Sequence, residues 1–334
     1  MVIGLLILGT AIFLISYQAV PVLLLIFMAV LLAIFIRTLA NFVQRRSGWR
    51  YRWCMLTVVG GTLGLIVVSG FLLGPNAAAQ ISGVMDRLPE VRERLSQYGW
   101  AGLLYHIPGM EALLAGRLNI WQRITQSFSF SDTFGPLISI GLVVVIGLYL
   151  AASPEFYVRG VIVLSPVGRR THYRRILDAI GETLRWWLLG QAIGMLSIGV
   201  TVSIGLALLH MPLPLPLGVF AGLMAFIPNI GYFLSIAPAI LFAVLQAPLT
   251  VFYVVLLYTA AHWGNDYVLI PLVQKRVVQL PPALTIATQL VLGFLLGGIG
   301  LIIATPLLAV LLVLVKTLYL GREPEAVRRP HEER

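Results

Sequence analysis

Apolar residues run along this chain in long blocks with little periodic polarity to mark a water-facing side. Several blocks approach or exceed the roughly 20 residues that cross a hydrocarbon core. Met1–Ser16 and Val20–Ile36 are separated by the short Tyr17-Gln18 interruption, a spacing that predicts a helical hairpin. Trp53–Leu73 predicts a third span, closed by Gly74-Pro75-Asn76, and Phe134–Ala152 a fourth. The stretch 77–133 differs in kind: it is charged, punctuated by Pro89 and Pro108, and nowhere long enough to cross. Inside it Leu88, Val91, Leu95 and Tyr98 follow the 3-4-3 spacing of an amphipathic helix. A packed cap is the simpler reading of this insert; a solute-capturing or partner-binding module is the other.

In the second half Ile176, Ile180, Leu184 and Trp187 mark one face of a helix at the membrane interface. Arg185 and Trp186-Trp187 suit headgroup depth, and this helix feeds a span over Leu188–His210. Met211–Pro216 then reads as a stiff, extended connector. The next block, Leu217–Gln246, is broken at Ile227-Pro228-Asn229-Ile230-Gly231 and again near Pro238. Pro248–Ile270 predicts an uninterrupted span ending at Pro271. Pro282–Leu320 is cut by Gly297-Gly298-Ile299-Gly300 and by Thr305-Pro306. Backbone groups freed by such breaks need protein partners or a wet cavity. The pattern therefore predicts an all-α, polytopic membrane protein of about eight spans or half-spans, with two interrupted helical hairpins. Its parts are N-terminal membrane helices over 1–74, an extracytoplasmic amphipathic insert over 75–133, a transport core over 134–321 and a basic cytoplasmic tail over 322–334.

Composition agrees and removes other classes. Hydrophobic residues make up 59% of the chain and charged residues 11%, too few charges to cover a soluble core. The net charge of +10 does not point to nucleic acid, because the arginines cluster just outside apolar segments. The short segments 37–52 and 153–185 hold five and six arginines, whereas 77–133 balances five arginines with five acids. The positive-inside rule then places the two basic loops in the cytoplasm and the insert outside. The expected location is the bacterial cytoplasmic membrane, with lipid as the surrounding partner. Cys54 is the single cysteine, which rules out an intrachain disulfide. Met1–Ile15 lacks a basic leading region and a small-residue cleavage site, so it reads as a membrane helix.

Candidate chemistry centres on Asp266, the one carboxylate among the 140 residues from 183 to 322. An ionised carboxylate at the middle of a spanning helix costs roughly 2.5–3.5 kcal/mol, so it calls for a wet cavity, a partner or a transported ion. Tyr258, His262 and Asp266 are spaced by four and are expected to stack on one helix face, flanked by Trp263 and Asn265. That group could relay a proton or hold a cation; a purely structural polar cluster is the alternative. It lacks the ligands of a zinc site. Asn229 and Pro228 at the first break, Gln191 in a glycine-dotted span, and Gln289 with Thr285 and Thr288 are the side chains that could meet Asp266. The chain shows no GxSxG, HExxH, P-loop or paired intramembrane aspartate motif, which predicts a non-enzyme without cofactor or metal.

The order Gly222-Leu223-Met224-Ala225-Phe226-Ile227-Pro228-Asn229-Ile230-Gly231, Ala237-Pro238-Ala239, Asn265-Asp266-Tyr267-Val268-Leu269-Ile270-Pro271-Leu272-Val273, Leu280-Pro281-Pro282, Gly297-Gly298-Ile299-Gly300 and Ala304-Thr305-Pro306 resembles the autoinducer-2 exporter family of bacterial membrane proteins. The resemblance covers nearly the whole chain. It implies an oligomeric permease that exports a small polar solute such as autoinducer-2, or exchanges a cation such as Na+ for protons. A passive channel and a non-transporting scaffold are the rival expectations.

Overall fold

The computed structural model describes residues 2–62, 64, 130–273 and 280–319. The amphipathic insert, apart from its last four positions, lies outside them, as do the 274–279 link and the C-terminal tail. Every regular element among the described residues is helical. They are α1 (Val2–Ser47), α2 (51–62), α3 (Phe130–Ala152), α4 (Pro154–Val163), a 3-10 turn (Val167–Arg169), α5 (Arg170–Leu208), α6 (Pro214–Met224), α7 (Ile230–Gln246), α8 (Pro248–Gly264), a π-helical segment (Asn265–Leu269), α9 (Ile270–Val273) and α10 (Pro282–Tyr319). Three stretches are long and apolar enough to cross a membrane: Val20–Ser47, Val167–Leu208 and Pro282–Leu318. Large apolar side chains stand exposed along them, Phe294 at 91%, as lipid-facing surface would.

Two compact units share the chain. Among the described residues, the first holds 2–59, 130–188 and 280–319. Within it α1 lies against α3 so closely that a Cβ on Gly147 would stand 3.1 Å from the Ala29 carbonyl oxygen. The Tyr51 hydroxyl donates to the Ala151 carbonyl at 3.1 Å, tying the start of α2 to the end of α3. Ser153 before Pro154 ends α3, since a residue preceding proline is pushed out of the α region. Pro154 then starts α4, and the two helices bend by 87°.

The N-terminal hairpin is corrected to one helix. Tyr17-Gln18 lies inside α1, which also holds Pro21. Neither Tyr17 nor Gln18 is a helix breaker, so the backbone hydrogen-bond ladder continues through them, the cheapest way to satisfy backbone groups in lipid. The interfacial segment at 176–187 is likewise the first part of α5, because no proline or glycine pair interrupts it. Ile176, Leu184 and Trp187 form its buried side. Trp186 donates to Glu182 at 2.9 Å, and the Arg185 guanidinium lies 5.8 Å from the Trp186 ring.

α10 reverses within itself. Gly297 has φ 64 and ψ −143, a conformation open to glycine alone among common residues. A Cβ on Gly293 would meet Leu301 at 2.6 Å. In a straight helix those positions are about 12 Å apart, so the two arms fold back on each other. Pro306, expected as a further break, stays inside the helix.

Among the described residues, the second unit holds 60–62, 64 and 189–273. Ile198, Val202 and Leu206 of α5 pack with Leu217 and Ala221 of α6, Ala239 and Phe242 of α7, and Val254 and Tyr258 of α8 into one apolar core. α5 and α6 meet backbone to backbone: a Cβ on Gly222 would lie 2.6 Å from the Met195 carbonyl and 3.2 Å from Gly199 Cα. The expected extended connector is shorter than its prolines suggested. Pro214 opens α6 rather than prolonging a coil, since its fixed φ suits a first helical turn. Pro238, expected as a break, is absorbed by α7.

Candidate functional site

The first polar feature of the second unit is the open end of α6. After Met224 the chain turns through Ile227-Pro228-Asn229 and re-enters helix at Ile230. Asn229 has φ 65 and ψ −55, and the Ile230 N–H reaches back to the Pro228 carbonyl at 2.8 Å. That is a γ-turn of the strained, positive-φ kind. Asn229 itself is exposed at this tip. Gly231 returns so close to Met224 that a Cβ there would collide with the Met224 carbonyl. Gln191 of α5 donates its amide to the Ala225 carbonyl at 2.6 Å, satisfying an acceptor at the helix end.

The second feature is the end of α8. Here the ladder changes from i→i+4 to i→i+5, with Ile270 N–H donating to Asn265 O. Pro271 explains the change: it lacks an N–H, and in an α-helix its ring would press on the carbonyl four residues back. Local π adjustment is how spanning helices accommodate proline. The uninterrupted α-helix expected over Pro248–Ile270 is thus corrected to α-helix, π turn and a last short helical turn.

The expected single face of Tyr258, His262 and Asp266 is also corrected. Tyr258 is fully buried, and the His262 ring stacks on it with centroids 6.5 Å apart. Asp266 is exposed, whereas Asn265 is buried. The reason is geometric. A step of four residues overshoots a full helical turn by about 40°, so the 258–262–266 ladder winds off the buried face. Asn265, three residues after His262, returns to it.

These side chains form a connected polar edge. His262 Nδ1 lies 3.0 Å from the Tyr258 carbonyl, which can only accept, so Nδ1 carries the proton and Nε2 is the open nitrogen of the neutral ring. The Tyr232 ring of α7 meets His262 edge-on at 5.0 Å, and its hydroxyl lies 3.1 Å from the Thr259 Oγ1. Asn265 Nδ2 donates to Asp266 Oδ1 at 2.9 Å. Gly194 of α5 faces that amide: a Cβ there would stand 3.1 Å from Asn265 Oδ1. Tyr258 Oη, His262 Nε2 and Asn265 Oδ1 are buried with no hydrogen-bond partner. Three unmatched polar atoms on one helix of an apolar unit are costly unless water, a solute or an ion completes them.

Gln191, Pro228, Asn229, Tyr258, His262, Asn265 and Asp266 therefore all belong to the second unit. Thr285 and Gln289 are buried in α10 of the first, with the Thr285 hydroxyl donating to the Pro281 carbonyl at 3.3 Å. Sequence reasoning passed over Tyr232 and Thr259. Their signal was a polar pair on facing helices beside His262, visible only once α7 and α8 are known to pack.

The comparison that decides the family is a match of residues 3–320 to the model of the AI-2E family transporter. The chain belongs to that family. It is similar to two Bacillus subtilis (strain 168) proteins, named "Putative transport protein YueF" and "Putative transport protein YrrI". The first is 27% identical over 266 residues, 74% of this chain and 71% of the relative. The second is 25% identical over 277 residues, 76% of this chain and 77% of the relative. This AI-2E member is a multi-pass, all-helical membrane transporter.

Proposed function

We propose that this transporter moves a small polar solute or cation, such as autoinducer-2 or Na+, across the bacterial cytoplasmic membrane, coupled to a proton or sodium gradient through Asp266. The observation that carries the reading is the setting of Asp266: the one carboxylate from 183 to 322, held by a buried amide at a π-helical turn. Intramembrane carboxylates of that kind mark ion and proton paths, and π turns gather at functional sites. Tyr258, His262 and Asn265 supply the unmatched polar atoms beside it. The broken hairpin at Asn229 supplies irregular backbone of the type that lines transporter sites. Gln191 lines the pathway in this reading, in a homo-oligomer whose basic loops face the cytoplasm.

The test is proton movement in proteoliposomes on addition of sodium, lithium or autoinducer-2. The intact protein is expected to show a solute-triggered proton flux, and Asp266→Asn, inserted and folded, to lose it. Equal coupled flux in the variant would remove Asp266 from the mechanism. Solute flux with no proton or sodium dependence in either protein would make this a passive channel.

A further inference from the structure

α4 has no buried residue, and its apolar side stands exposed beside a run of arginines. We infer that α4 lies in the membrane surface and, with Arg159 and Arg169, forms a docking site for an anionic phospholipid. The acyl chains lie against the apolar side of α4, and the headgroup phosphate takes hydrogen bonds from the two guanidinium groups.

The depth of α4 follows from its neighbours in the first unit. α3 runs alongside the spanning part of α1: Gly147 meets Ala29, and one turn later Ala151 packs with Ala33 and Ile36. Ile36 ends the apolar run of α1 and Arg37 follows it, so the end of α3 lies at headgroup depth. There the chain bends by 87°, which turns α4 away from the direction of the spans and along the membrane surface.

The sides of α4 suit that position. At about 100° per residue, Val163, Phe156, Leu164, Tyr157 and Val161 share one arc of about 160°. All five are exposed, Leu164 at 87% and Phe156 at 75%. Pro154, Val158 and Ile162, four apart, form the half-buried stripe that rests on the protein. Glu155 and Arg159 fill the remaining edge. A broad apolar arc beside a charged edge is the form of a helix that lies in a lipid interface.

Charge selects the lipid. From 154 to 175 five arginines stand against one acid, Glu155. Arg174 pairs with that acid at 3.2 Å, and Arg170 donates to the Val163 carbonyl at 3.4 Å, which holds the basic segment against the end of α4. Arg159, one turn before Val163, and Arg169, next to Arg170, are both exposed. Among the described residues no acid pairs with either. Guanidinium groups match a phosphate in charge and in geometry. A second copy of the chain would bring the same uncompensated arginines to this face, so charge favours an anionic headgroup over self-association.

The test places a bimane fluorophore on Leu164→Cys in a Cys54→Ala chain, reconstituted in phosphatidylcholine bilayers. The quencher is phosphatidylglycerol or phosphatidylcholine carrying a nitroxide near the head of one acyl chain. Both lipids are expected to quench, phosphatidylglycerol more strongly at equal mole fraction, and the excess to shrink as salt is raised. Arg159→Gln combined with Arg169→Gln should abolish the excess and leave quenching by phosphatidylcholine unchanged. Equal quenching by the two lipids, or an excess that survives the double substitution, would overturn the anionic site. Quenching by neither would mean that another surface, such as a second copy, covers α4, and would overturn lipid docking altogether. The unaltered chain gives an independent check in detergent. Phosphatidylglycerol bound to the folded state should raise the unfolding midpoint above that reached with phosphatidylcholine, and equal midpoints would overturn the site.

Discussion

The Gln191 side chain donates a 2.6 Å hydrogen bond to the carbonyl of Ala225, 34 residues later in the chain. Ala225 follows the last residue of α6, where an α-helix leaves carbonyls without donors. Gln191 therefore holds the broken end of α6 on α5. Replacing it by leucine keeps the volume and strands the carbonyl. Gln191→Leu is expected to cost about 1–3 kcal/mol, the range for an unmatched buried polar group. Thermal unfolding of the purified protein in detergent checks it, and an unchanged midpoint would show that the oxygen has another partner.

Asn229 sits at φ 65, ψ −55 with its γ-turn closed by Ile230. A β-branched residue is strongly disfavoured there, while glycine reaches such angles freely. Asn229→Val should lower stability by about 1–3 kcal/mol, and Asn229→Gly should not. Solute flux in proteoliposomes should follow the same order, because the tip would lose its set geometry in the valine variant. Equal tolerance of both substitutions would mean that the strained turn is not held in the working protein.

Much of this was legible in the sequence. The two breaks that matter are at Ile227–Gly231, which carries proline, asparagine and glycine together, and at Gly297–Gly300, which carries three glycines, and the backbone turns at both. Lone prolines gave false breaks: Pro238 and Pro306 both lie inside helices. A proline removes one hydrogen bond and bends a helix, but reversing the chain takes a residue at positive φ as well. The reach of the polar cluster was legible only in part. Spacing by four names Tyr258, His262 and Asp266, yet burial follows the alternating three-and-four path through Val254, Tyr258 and Asn265. Which of two adjacent polar residues turns inward depends on where the neighbouring helix lies, and Gly194 is far away in sequence.

The ion pair between Arg174 and Glu155, at 3.2 Å, links the start of α5 to α4 in the basic region. Both side chains are about half exposed, 47% and 57%, so water and salt screen their attraction. Arg174→Ala is expected to change stability by less than about 1 kcal/mol. If the residue matters, it does so through the charge of the basic loop. Insertion orientation, read by cysteine accessibility from either side of the membrane, should respond to removing several of these arginines together but not to Arg174→Ala alone.

Two glycines of similar helical setting should answer alanine in opposite ways. Gly222 lies where α6 touches α5, and an added Cβ would sit 2.6 Å from the Met195 carbonyl oxygen and 3.2 Å from Gly199 Cα. Both are backbone atoms, so no side chain can swing aside and the helices themselves must part. Overpacking of that kind costs about 1–3 kcal/mol, and parting α5 from α6 also disturbs the Gln191 bond one turn away. Gly141 in α3 has nothing within 4 Å of its Cβ position. Alanine there removes only the conformational freedom of the unfolded chain, a gain of about 0.5–1 kcal/mol. Unfolding of the two variants in the same detergent should move in opposite directions. If Gly222→Ala were as stable as the unaltered protein, α5 and α6 would stand further apart than this backbone contact requires. If Gly141→Ala were strongly destabilised, its open face would be covered by another surface, such as a second copy of the chain.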